Sequence, residues 1–172
     1  MSASPSTRVV LLVGVEGDSP QGAVLSAEAT PLGRLLAQPD RTVELVMVSW
    51  EGQGSLDGVA VHAVLDPSAP PAADRVLRAL GVYALRNWLE GHPIGRLFNS
   101  IGPIDPSRVF WRAVKKHPEA LSLLRSSQVA IATDLETTKT AWIAVHRGWV
   151  DDAHYDHRAL ALVRGTRSAT AS

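Results

Sequence analysis

The run Arg8-Val-Val-Leu-Leu-Val-Gly14 is apolar without alternation, and similar runs return at Thr42-Val-Glu-Leu-Val-Met-Val-Ser49 and Gln128-Val-Ala-Ile-Ala-Thr133. A strand with one wet face alternates apolar and polar residues, whereas a run of this kind has to be covered on both faces. Sheets of that sort are parallel, because crossover connections put helices over both of their faces. Val59–Leu65 reads as a further, shorter strand. The constraint is therefore a buried parallel sheet, and the remaining segments have to supply its covers.

They have the pattern to do so. Ala23–Ala37 reads as a helix with Val24, Leu25, Leu32, Leu35 and Leu36 for the core, and with Pro31 as a kink or a break. Pro67, Pro70 and Pro71 precede a longer helix over Ala73–Glu90, where Ala73, Val76, Leu77, Leu80, Ala84 and Trp88 follow the spacing of one buried stripe. Gly91–Pro103 is interrupted by Gly and Pro and reads as a loop. Asp105-Pro106 supplies an N-cap and a proline at N1 for a helix to Lys116, and Pro118 starts another through Arg125. Thr133-x-x-Glu136 has the spacing of a capping box. It opens a helix to His146 or Arg147, with Thr138, Ala141, Trp142 and Val145 on one face and Gly148 past its end. A last helix is expected over His157–Arg164. Strands alternating with helices give right-handed βαβ units. The fold class is thus α/β, a Rossmann-like doubly wound, mainly parallel sheet with helices on both faces. One domain is expected over residues 8–165, between a flexible arm (1–7) and a flexible tail (166–172).

Composition narrows the function classes. Lys plus Arg and Asp plus Glu both number 17, so the chain lacks the cationic excess that broad nucleic-acid binding draws on. It has no cysteine, which removes disulfides, thiolate metal sites and Cys nucleophiles. No apolar run approaches the roughly 20 residues of a membrane span, and a cytoplasmic location is expected.

In an open parallel sheet, ligands lie beyond the carboxyl ends of the strands. The candidate ligand-binding residues there are Gly14, Glu16, Gly17, Asp18, Ser49, Glu51, Thr133 and Asp134. The Gly14–Gly22 loop is spaced as neither a dinucleotide fingerprint nor a Walker A motif, and reads as a tight turn or as a cradle for phosphate or sugar. Trp50 separates Glu51 from the second strand, so no nicotinamide cofactor is expected, nor any other cofactor. Asp134 reads as a helix cap or as a ligand-binding carboxylate. The run Asp151–His157 reads as a solvated turn into the last helix; its Asp152, His154, Asp156 and His157 are the candidates for a metal, though no metal is expected. No serine has the context of a hydrolase nucleophile, and no catalytic residue is assigned.

The segment Ser126–Trp142, with Ala132-Thr133-Asp134 between an apolar strand and a helix, resembles a recurring phrase in the N-terminal Rossmann-like domain of GT-B type glycosyltransferases. Pro118–Arg125 is similar to the helix that leads into it. The resemblance implies an acceptor-side domain, with Gly14–Gly22 and Asp134 at the matching positions. In that family the donor nucleotide-sugar is held mainly by a C-terminal domain, and the sequence runs only to Ser172. The expectation is therefore half of a transferase, needing a partner chain or a homodimer for activity, with a sugar or nucleotide-sugar as ligand. Two alternatives stand beside it: a non-catalytic protein-interaction module, and a small-molecule or nucleotide-binding enzyme of an unrecognised family.

Overall fold

The computed structural model describes residues 6–15, 30–51, 56, 58–67, 75–76, 79–81 and 105–165. Five strands, β1 (Ser6–Val13), β2 (Thr42–Trp50), β3 (Val59–Leu65), β4 (Val129–Ala132) and β5 (Asp152–Tyr155), form one sheet in the order β3-β2-β1-β4-β5. Every pairing is parallel. β1 lies in the middle, and Val9, Val10, Leu11 and Leu12 are wholly buried, as a strand covered on both faces requires.

Helices α1 (Pro31–Leu36) and α5 (Ala159–Gly165) cover one face, where Leu32, Leu160 and Val163 meet Val9, Leu11, Met47 and Ile131. Helices α2 (Pro106–Lys116), α3 (Pro118–Ser126) and α4 (Leu135–His146) cover the other, where Phe110, Val114, Leu124 and Ala144 meet Val10, Leu12, Val46 and Ala130. The chain moves outward from β1 to β2 and β3, then returns through the centre to β4 and β5. This is the doubly wound, Rossmann-like α/β arrangement, with its reversal between β1 and β4.

One local alternative is settled and four local expectations differ from the structure. Of the two roles open to Pro31, the structure shows the break: Thr30 is extended, its hydroxyl accepts from the Gly33 amide as the cap, and a helix begins with proline at N1. Residues 23–29 lie outside the described residues. In the segment read as Ala73–Glu90, Gly81 adopts φ +69°, which breaks a helix, and Val76 and Leu80 are exposed instead of facing the core. Residues 82–90 lie outside the described residues. Asp152–Tyr155, read as a turn, is the edge strand β5. The capping box does not form, because Asp134 and not Thr133 caps α4. The buried stripe of α4 is Thr137, Thr140, Ala141 and Ala144, while Trp142 is 58% exposed. At its far end the Gly148 amide donates to Val145 O and the Trp149 amide to Ala144 O, with Gly148 at φ +63°. This is a Schellman closure, for which glycine is the natural residue.

Candidate functional site

The reversal of strand order opens a crevice at the carboxyl ends of β1 and β4. There the chain after β1 and the first turn of α4 are tied together. The Gly14 amide donates to Asp134 Oδ2 at 2.6 Å, and the Val15 amide donates to Glu136 Oε2 at 3.0 Å. Asp134 works in both directions, since its Oδ1 also accepts from the Thr137 amide at 3.0 Å as the cap of α4. Thr133 braces it: its amide donates to Leu12 O, and its hydroxyl lies 3.1 Å from both Leu12 O and Asp134 Oδ2. Glu136 is held from a second side by the Trp50 indole, whose Nε1 donates to Oε1 at 2.7 Å. Trp50 in turn meets Phe110 edge-on, with centroids 5.6 Å apart.

This closeness depends on Gly14. A Cβ there would fall 2.6 Å from both Asp134 Oδ1 and Glu136 Oε2, so any side chain would displace the carboxylates. The outer wall comes from the start of α2, where Asp105 caps the helix by accepting from the Ser107 amide and hydroxyl. The described residues Val15, Asp105, Pro106, Ser107, Leu135 and Glu136 line a cavity of about 440 Å³. It presents carboxylate and hydroxyl groups beside the exposed apolar side chains of Val15 and Leu135. Such a lining can accept hydrogen bonds from ligand hydroxyls and cover one apolar face.

Of the residues singled out in the sequence, Gly14, Thr133 and Asp134 converge here. Glu16, Gly17 and Asp18 lie outside the described residues. Glu51 is exposed after β2, its amide donating to Leu65 O. Ser49 is fully buried on the α1 face of the sheet, its hydroxyl 2.8 Å from His62 Nε2 and 3.0 Å from Trp50 O. A hydroxyl so enclosed is a packing element, and burial also holds the His62 imidazole below its ordinary pKa.

The Asp152–His157 run does not converge. Asp152 and His154 pair with each other at 3.1 Å on the edge strand. Asp156 is buried, and accepts from the Leu32 and Arg158 amides, joining α1 to α5. His157 lies beside the Arg158 guanidinium. Among the described residues, no group of three or more His, Asp or Glu side chains is placed to hold a metal ion, and no helix is long and apolar enough to cross a membrane.

Two further contributors join Gly14, Thr133 and Asp134 at the crevice. Glu136, which has the spacing of a capping-box residue, instead meets the Val15 amide from the first turn of α4, just after a central strand. Trp50, expected to separate Glu51 from the second strand, is instead the last residue of β2, at the strand end where ligands are expected. Compared with models of known families, with curated proteins and with solved structures, the chain matches none.

Proposed function

We propose that the chain is the acceptor-side domain of a glycosyltransferase-related protein, and that its crevice takes a neutral hydroxylated ligand. One observation carries this reading: the amides of Gly14 and Val15 already donate to Asp134 and Glu136. In nucleotide-binding sheets of this topology, the amides after the first strand are what a phosphate takes. A diphosphate entering here meets two carboxylates and loses its donors. A sugar has no charge to be repelled, and its hydroxyls can donate to the carboxylates of Asp105 and Glu136. An acceptor site is therefore favoured over a donor site.

The test is calorimetric titration of the full chain with uridine and guanosine diphosphates, their sugar conjugates, and free mono- and disaccharides. Saturable heat with a saccharide and none with the nucleotides is expected, with Asp105→Asn weakening the saccharide. Micromolar binding of any nucleotide or nucleotide-sugar refutes the reading.

A second reading, a protein-interaction module, is supported by Val15 and Leu135, which are 68% and 70% exposed at the mouth of the crevice. It calls for an apparent mass that rises with concentration in sedimentation, and for Leu135→Asp to reverse that rise.

A further inference from the structure

A second cavity lies on the flank of α4 away from Glu136, between that helix and β5. Its volume is about 360 Å³, and its lining includes Thr138, Trp142, His146, Asp152, His154 and Tyr155. Two large aromatic side chains on this rim are left in solvent, Trp142 at 58% and Tyr155 at 49% exposure. Neither is needed by the core, which α4 meets through Thr137, Thr140, Ala141 and Ala144. The His146 ring packs against the indole with centroids 3.8 Å apart, and His146 Nδ1 lies 3.0 Å from Trp142 O. An exposed aromatic ring beside a cavity is a stacking platform.

The polar groups beside it decide what the platform suits. The Asp152 carboxylate has one oxygen 3.1 Å from His154 Nε2, and the other accepts from the Ala153 amide. The rim thus offers a carboxylate acceptor with a ring nitrogen beside it. A ring laid with one apolar face on the indole can donate edge hydroxyls to that carboxylate. From this juxtaposition we infer that the cavity between α4 and β5 binds a pyranose ring, stacked on Trp142 and flanked by Tyr155. The volume sits at the small end of the range for ligand sites, about 300–1,000 Å³. The inference is independent of the ligand of the β1–β4 crevice.

The test uses the ¹⁵N-labelled full chain, whose five tryptophans give five indole N–H signals. The Trp142 signal is assigned by its loss in Trp142→Phe. Methyl α-glucopyranoside, methyl α-mannopyranoside, methyl β-galactopyranoside and N-acetylglucosamine are titrated at millimolar concentrations, with tetramethylammonium as the cationic probe. At least one glycoside is expected to move the Trp142 signal saturably, whether or not Trp50, which reports on the crevice, moves as well. In the variants binding is read from the backbone amide signals of Ala153, His154 and Tyr155: Trp142→Ala weakens it roughly tenfold or more, and Trp142→Phe retains most of it. Three results overturn the inference: no glycoside moves the Trp142 signal, tetramethylammonium alone moves it, or Trp142→Ala binds as well as the parent. Movement of Trp50 in place of Trp142 assigns the sugar to the crevice and equally refutes this site.

Discussion

Asp134 is either a helix cap or a two-sided clasp, and a single amide separates the two. As a cap it needs one acceptor, for the Thr137 amide; as a clasp it needs a second, for the Gly14 amide on the other side of the crevice. Asparagine caps helices as well as aspartate does, but it has only one side-chain oxygen. In Asp134→Asn that oxygen can serve Thr137, and the amide NH₂ then points at the Gly14 N–H, donor against donor. Gly14 is buried, so a stranded N–H costs about 1–3 kcal/mol. For a chain of this length that lowers the melting temperature by about 2–12 °C. Asp134→Ala loses the cap as well, at about 1 kcal/mol more, for a total of about 2–4 kcal/mol. Urea unfolding followed by circular dichroism and tryptophan fluorescence measures both variants, provided the slope with denaturant is unchanged. An Asn variant within about 0.5 kcal/mol of the parent reduces Asp134 to a cap and removes the clasp from the reasoning.

Four further outcomes are expected. Gly14→Ala pushes its Cβ into both carboxylates and lowers stability by about 1–3 kcal/mol in the same assay. Thr140→Val keeps the shape of a fully buried side chain and removes a hydroxyl that has no hydrogen-bond partner among the described residues; stability rises by about 1 kcal/mol. Trp50→Phe loses the indole donor to Glu136 while keeping an aromatic ring for Phe110, which costs about 1 kcal/mol and is read by thermal unfolding. His62 is held below its usual value of 6.5 by burial, so as pH falls through that value the unfolded chain takes up a proton that the folded chain does not. Stability present above this pH is lost on acidification, and His62→Gln flattens the melting temperature measured between about pH 7 and 5.

What was legible in the sequence followed from burial on both faces of a strand. β1, β2 and β4 announce themselves because Val, Leu, Ile and Ala run without alternation, and β4 is buried at all four positions. β5 was not legible for the converse reason. Its Asp-Ala-His-Tyr is an edge strand that joins by backbone pairing to β4, and Ala153 is its one residue packed against the core. Helix α4 was read one residue out of phase, because apolarity put Trp142 inward and left Thr137 and Thr140 unassigned. In the structure the threonines, shorter than an indole, let α4 lie close to the sheet. The crevice was half legible. Gly14 and Asp134 follow from the rule about strand ends, whereas the bonds from Val15 and Trp50 to Glu136 span 121 and 86 residues, so local spacing cannot pair the partners.

The strand order also sets the sequence in which the crevice can be assembled. β1 meets β2 across 36 residues of chain, but it meets β4 across 120. Closing the longer loop costs about 1 kcal/mol more in chain entropy, and pairings between distant segments are slow to form. Chain entropy therefore favours the β1–β2 seam over the β1–β4 seam. Until β4 docks, the Gly14 and Val15 amides have no Asp134 or Glu136 to donate to. The crevice is the product of the β1–β4 pairing, so it is absent from any form of the chain in which β4 has not docked.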